Sequence, residues 1–157
     1  MQINLRDFQH KDMSLLDDWC RTIDAHQYMS NFHPSVLNHK DTGSSDGYVW
    51  YVIQKDRIDI GTIWLEKLPG EISSVKLGIL IGSEQHFGKG IGRRAIELAI
   101  QKAKSSFAFD RVILHVRRTN TRAIRSYSRC GFRIVQEFTK TNDDGQIIHA
   151  YRMVKEL

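Results

Sequence analysis

The sequence predicts one α/β (α+β) domain, spanning residues 1–157, in which helices flank a mixed central β-sheet. Three observations carry that prediction. Strand-like runs and amphipathic helical segments follow one another in the order β-α-loop-β-β-β-α-β-α-β-β. A glycine-rich turn, Gln85 to Gly92, joins a strand to a helix. Finally, 157 residues, 41% of them apolar and only two of them proline, suffice for one core and exclude a disordered or low-complexity chain.

The elements follow in order. Ile3, Leu5 and Phe8 alternate with polar residues in a short first strand. Asp12 or Ser14 is placed to cap a helix whose Leu15, Leu16, Trp19, Cys20 and Ile23 share one face. Residues 27–46 collect turn formers without a clean period and read as a long loop holding at most a helical turn; loops of this length are often functional. YVWYVIQ (48–54) and IDIGTIWLEKL (58–68) flank Lys55-Asp56-Arg57, a hairpin signal, and SSVKLGILI (73–81) is the next strand. From Gly90 to Lys104, Ile91, Gly92, Ala95, Ile96, Ala99, Ile100 and Ala103 form one stripe, with Arg93, Arg94, Glu97 and Gln101 away from it. RVILHV (111–116) reads as a buried strand. Asn120 to Cys130 is a further helix, with Ala123, Ile124 and Tyr127 inward and Gly131 as its stop. FRIVQEF and IIHAYRMVKEL close the domain as a hairpin across Asn142-Asp143-Asp144-Gly145.

Charge is uneven along the chain. Residues 1–66 hold 6 basic and 10 acidic side chains, net −4, whereas residues 67–157 hold 17 and 8, net +9. The excess peaks between Arg111 and Arg133, where seven arginines stand with no carboxylate among them. Such a field attracts polyanions, either a nucleic acid or a phosphorylated cofactor. No window approaches the roughly 20 apolar residues of a membrane span, and the opening residues lack the charged-then-apolar order of a signal peptide. Cys20 and Cys130 have neither metal-ligand spacing nor a disulfide framework. A reduced protein of the cytoplasm, without a membrane partner or a metal, is the expectation.

Gln85-His86-Phe87-Gly88-Lys89-Gly90-Ile91-Gly92 is the most informative segment. Glycines between a strand and a helix let backbone N–H groups approach an anion at the helix N-terminus. The P-loop pattern fails: five residues separate Gly82 from Gly88, and Gly90 rather than Ser or Thr follows Lys89. Gly90-Ile91-Gly92-Arg93-Arg94-Ala95 fits the dinucleotide fingerprint in form, but Asp110 begins the next strand instead of ending it.

The third pattern, Gln/Arg-x-x-Gly-x-Gly/Ala after a strand, is met by Gln85, Gly88 and Gly90. Here the sequence resembles the GNAT acyltransferase superfamily. Asn120-Thr121-Arg122-Ala123-Ile124-Arg125-Ser126-Tyr127 followed by Gly131-Phe132 is similar to that family's second block. The opening Leu5-Arg6, Asp12, Leu16 and Trp19 resembles, less specifically, the branch that acetylates ribosomal-protein N-termini. The resemblance implies direct transfer of an acetyl group from acetyl-CoA to an amine, and dimers are frequent in the family.

It also implies a set of site residues. The backbone of His86, Phe87, Gly88, Lys89, Gly90, Ile91 and Gly92, with Arg93, would cradle the pyrophosphate, and Ile79, Leu80 and Ile81 would hold the pantetheine as an added strand does. Asn120, Ala123 and Ser126 would line the cofactor from the second helix block, with Tyr127 as the acid for the leaving thiolate. A phenol near pKa 10 and a thiol near 8.5 exchange a proton at little cost. For the base, His115 in RVILHV is the first candidate and Glu84 beside the glycine loop the second; Glu66 and Glu71 are weaker. Arg93, Arg94, Arg122, Arg125 and Arg129 are candidates for the CoA 3′-phosphate. The acidic first third, with Asp17, Asp18 and Asp24, suits a cationic acceptor, and Tyr28, Phe32, Trp50 and Trp64 are candidates to line its pocket. A peptide N-terminus, a polyamine and an aminoglycoside all fit. Two other readings use the same residues: an acyl-CoA sensor without turnover, and nucleic-acid binding by the arginine run. RNA recognition usually adds exposed stacking aromatics, whereas Tyr127 and Phe132 fall on inward positions.

Overall fold

Strand alternation divides the apolar side chains of the chain between the two faces of one sheet. The computed structural model describes residues 1–35 and 47–157, so residues 36–46 of the long loop lie outside the described residues. The strands are β1 (Ile3–Asp7), β2 (Tyr48–Lys55), β3 (Ile58–Leu68), β4 (Glu71–Ile81), β5 (Arg111–Arg117), β6 (Arg133–Thr141) and β7 (Ile147–Glu156). They lie in the order β1-β2-β3-β4-β5-β7-β6, antiparallel except for β4 beside β5. Three helices, α1 (Met13–Thr22), α2 (Ile91–Ala103) and α3 (Thr121–Arg129), cover the faces. None is long and apolar enough to cross a membrane.

The larger core forms on the α2–α3 face. Ile63, Leu65, Val75, Leu77, Ile79, Val112, Leu114 and Val116 meet Ala95, Ile96, Ala99 and Ile100 of α2 and Ala123 of α3 there. The small α2 residues bring that helix close to the sheet, and each fully buried isoleucine or leucine contributes about 1.5–3 kcal/mol. On the opposite face Leu16, Trp19 and Ile23 of α1 pack on Val52 and Leu80. Leu15 and Cys20 are only half-buried, so the inward stripe of α1 is narrower than the sequence pattern.

Asp12 occupies the α1 N-cap position, yet its side chain does not cap the helix. Its carboxylate is taken by Arg6, which donates to both oxygens at 2.9 Å, and by the Gln9 N–H at 2.8 Å. The Ser14 hydroxyl turns back to the Lys11 carbonyl. Arg6 also donates to Asp59 at 2.8 Å, tying β1, α1 and β3 together. These bonds hold the carboxyls of Asp12 and Asp59 below the usual carboxylate range and raise Arg6. Leu5-Arg6, Asp12, Leu16 and Trp19 thus all have structural work in this fold.

Several strand boundaries differ from the sequence reading by one to three residues, two of them for a visible reason. β4 begins at Glu71, because the turn through Pro69 and Gly70 is tight, and β6 begins at Arg133, because Phe132 is buried in the core as the chain leaves α3. The predicted 55–58 hairpin is present, with Asp56 and Arg57 at positive φ. At Gly61 the backbone of β3 approaches β4 so closely that a Cβ would lie 2.3 Å from the Leu80 carbonyl oxygen. Gly61→Ala is expected to cost about 2–3 kcal/mol by overpacking, read as a lower urea midpoint with an unchanged m-value.

One topological feature positions the site. β4 and β5 pair only from Ser74–Lys76 to Arg111–Ile113. Beyond those residues β4 stays with β3 as far as Ile81, and β5 stays with β7 as far as Arg117. Each strand is held on its far edge, so the twist of the sheet opens a wedge between them.

Candidate active site

The wedge leads into three adjoining cavities. The first, of about 520 Å³, lies at the N-terminus of α2 and is lined by Ile81, the glycine turn and four arginines: Arg93, Arg122, Arg125 and Arg129. Gly88 (φ 71°) and Gly90 (φ 79°) hold the turn in the left-handed region, and nothing lies within 4 Å of where a Cβ would stand on either. No side chain caps α2. Its first N–H groups therefore meet open space beside four guanidinium groups, an arrangement suited to a pyrophosphate. His86 lines the same cavity, with Nδ1 buried and lacking a partner among the described residues; burial, then Lys55 and Lys89, keep its pKa below the ordinary histidine value. Arg122 closes one wall, its guanidinium 3.7 Å from the Phe87 ring centroid.

The second cavity adjoins the first through Ile81, Phe87, Gly92, Arg122 and Ser126. Ile79, Leu80 and Ile81 of β4 face Asn120, Ala123, Ser126 and Tyr127 of the α3 segment across it. The Tyr127 ring packs edge-on against Phe132, with centroids 6.0 Å apart. Burial pushes the phenol up to about 12, against the pull of Arg122. Among the described residues no hydrogen-bond partner engages its hydroxyl.

The third cavity, the chamber, adjoins the second through Tyr28 and Met29 and lies on the sheet face opposite the main core. It is lined by Trp64, Glu66, Lys76, His115, Arg117 and Lys140, among others.

An acetyltransferase (GNAT) domain model matches residues 2–133. The chain belongs to the GNAT acetyltransferase family. The fold agrees. Spermidine N-acetyltransferase from Vibrio cholerae, solved with CoA and spermine, superposes with a TM-score of 0.77 at 20% identity, over 99% of this chain and 95% of that one. AAC(6')-Ib bound to ribostamycin and coenzyme A gives 0.77 at 18% identity, over 99% and 94%. A GNAT-family acetyltransferase from Streptococcus pneumoniae gives 0.71 at 20%, over 99% and 100%.

Within this GNAT domain the structure gathers most, but not all, of the residues singled out from the sequence. Ile79, Leu80, Ile81, His86, Phe87, Gly88, Gly90, Ile91, Gly92, Arg93, Asn120, Ala123, Ser126 and Tyr127 all line the first two cavities. Lys89 is exposed and lines neither, and Arg94 turns to Glu97. Glu84 is exposed on a short 3₁₀ turn and lines none of the three cavities, because the turn directs the strand-to-helix connection outward. Cys130 is buried, and burial pushes its thiol up, so it packs as a small apolar residue does.

The chamber differs from the sequence reading in its charge. Asp17 and Asp18 are exposed on α1, with Asp18 paired to Arg21, and neither lines it. Of the four aromatic candidates, Tyr28 and Trp64 line it. Trp50 instead stacks on Phe8 at 3.6 Å and donates to Thr62, and Phe32 packs against His26. Lys76, Arg117 and Lys140 are the functional candidates that sequence reasoning missed. The available signal was parity: Lys76 alternates with Leu77 on a strand buried on both faces, and Arg117 shares the parity of His115.

His115 stands beside Phe138, ring centroids 4.9 Å apart. Although the residue is exposed overall, desolvation of the ring by its neighbours, then Lys76, Arg152 and Lys140, lowers its pKa to about 4. The unfolded chain therefore binds a proton below about pH 6.5 that the folded chain refuses until about pH 4. Stability is expected to fall as pH drops through that window, with no contribution from His115 above it. His115→Gln should flatten the decline in urea midpoints between pH 6.5 and 4; an unchanged slope would remove His115 as its source.

Proposed function

We propose that the chain transfers the acetyl group of acetyl-CoA to a primary amine by direct attack, with the three cavities serving as phosphate cradle, reaction channel and acceptor chamber. The observation that carries this reading is their continuity along the β4–β5 wedge, with Tyr127 between an arginine-lined glycine turn and a polar chamber. The residues fit the cofactor: open N–H groups at the α2 N-terminus and Arg93, Arg122, Arg125 and Arg129 suit its phosphates, and the β5-facing edge of Ile79–Ile81 suits its pantetheine. Acetyl-CoA supplies the activated acetyl group.

The chain's own residues do the rest. The Tyr127 hydroxyl stays protonated at neutral pH and donates a hydrogen bond toward the sulfur. A phenol raised to about 12 no longer matches a thiol near 8.5, so its contribution is donation to developing charge rather than a balanced proton transfer. His115, neutral at pH 7, lines the chamber with Glu66 and is placed to relay the ammonium proton through water to solvent without retaining it. Glu84 has no access to the chamber and takes no part. Solved neighbours include spermidine N-acetyltransferase in complex with spermine and AAC(6')-Ib with ribostamycin, which supports amines as acceptors in general.

Calorimetric titration with acetyl-CoA, with NAD and a short RNA as controls, tests the reading. Micromolar binding of acetyl-CoA alone is the expected result. Absence of binding would sink the proposal, and salt-sensitive binding of the RNA in its place would return the arginine run to a nucleic-acid role.

A further inference from the structure

Among the described residues, the lining of the acceptor chamber carries an excess of positive charge. Its described lining holds one carboxylate, Glu66, and three cations, Lys76, Arg117 and Lys140. Glu66 is buried, accepts the Ser35 N–H at 2.7 Å, and is the cross-strand register partner of Lys76, so those two charges offset one another.

Arg117 and Lys140 are different. The Arg117 guanidinium is held by neutral groups, donating to the His26 carbonyl at 2.7 Å and the Ser30 hydroxyl at 3.0 Å, while its buried Nε has no partner among the described residues. Among the described residues neither Arg117 nor Lys140 forms a salt bridge. The neighbouring arginines do: Arg118 pairs with Glu137 and Arg152 with Glu71, each at 3.0 Å. Asp143 and Asp144 border the outer end of the cleft with Arg117 and Lys140, but both are exposed, and Asp144 accepts the Gln146 N–H. Lys76, Lys140 and His115 all lie below their ordinary values, burial first in each case; nearby cations add to it at Lys140 and His115, whereas at Lys76 the Glu66 carboxylate opposes it before Arg152 adds to it. Arg117 is partly buried, and such a cation without a counter-charge is unfavourable unless a ligand supplies one; Lys140 is exposed at the cavity rim and adds its charge from there.

We propose that this chamber selects a primary amine that also carries an oxyanion, a carboxylate or a phosphorus oxyacid, which Arg117 and Lys140 hold while the amine faces the channel at Tyr28 and Met29. The inference rests on the acetyl-transfer reading above. An oxyanion seated beside Lys140 offsets the smallest of the charges that act on the His115 imidazole, after Lys76 and Arg152.

The test measures CoA release with matched acceptors: α-amino acids and aminomethylphosphonate against amino-acid carboxamides, with spermidine and spermine as the cationic arm. The acids are expected to have kcat/KM about 10-fold or more above their amides, carried mainly in KM and diminished by added salt. Phosphonate against carboxylate shows which oxyanion fits better. Lys140→Gln should shrink the acid-to-amide ratio and Lys140→Arg should restore it.

Preference for amides or polyamines, or no turnover of any acid while acetyl-CoA binds normally, would overturn this inference and leave the acetyl-transfer reading standing. Failure of acetyl-CoA itself to bind would remove that reading and the inference with it.

Discussion

Tyr127→Phe is expected to lower kcat by about 100-fold or more while leaving acetyl-CoA affinity nearly unchanged. The substitution removes one oxygen and keeps the ring, so the edge-on packing against Phe132 survives. A phenol raised to about 12 remains protonated throughout the working range. The pH–rate profile of the unmodified protein should therefore show no limb from Tyr127 at neutral pH, and the variant's profile should keep its shape at lower amplitude. Rapid-quench or thiol-release kinetics on both proteins, with binding measured separately, decide the matter. Wild-type turnover in the variant would take the hydroxyl out of the mechanism and leave Tyr127 as a core aromatic.

Gly90→Val is expected to weaken acetyl-CoA binding by about 100-fold or more, at a stability cost of only about 1–2 kcal/mol from the positive φ. Gly90 precedes α2 at φ 79°, and the position of a Cβ there is empty. Nothing in the protein collides with the new side chain. It would instead stand where the α2 N–H groups must meet an anion, and the β-branched residue resists the backbone angle that aims them. Calorimetry with acetyl-CoA and a thermal melt on the same sample separate the two effects, and Gly90→Ala should fall between the extremes. Normal affinity in a folded Gly90→Val protein would show that the cradle lies elsewhere.

The parts of this site that were legible in the sequence are those confined to one continuous segment. Gly88 and Gly90 stand out because only a turn that must expose backbone places glycines between a strand and an amphipathic helix. Tyr127 stands out because the segment from Asn120 to Phe132 resembles the second GNAT block. The stripe from Ile91 to Ala103 announces its face through the helical period, and that face is buried as expected. Glu84 was misjudged for the same reason that it was noticed: adjacency to the glycine turn in sequence says nothing about direction, and the 3₁₀ turn points it outward.

The acceptor chamber was the least legible region, because its walls come from separate strands and a connecting segment. Trp64 and Glu66 arrive on β3, Lys76 on β4, His115 and Arg117 on β5, Lys140 on β6, and Tyr28 from the segment after α1. Summed along the chain, charge is acidic in the first third and basic in the remainder. The fold sets those thirds side by side and turns Asp17 and Asp18 outward, so the chamber inherits the basic strands. By itself the sequence determined the elements, the core stripes and the glycine turn before α2, since those depend on short-range periodicity and backbone freedom. Only the tertiary structure decided where β4 and β5 part, which carboxylates reach the cleft and what charge meets the acceptor, since those depend on strands far apart in sequence pairing on their outer edges and splaying between.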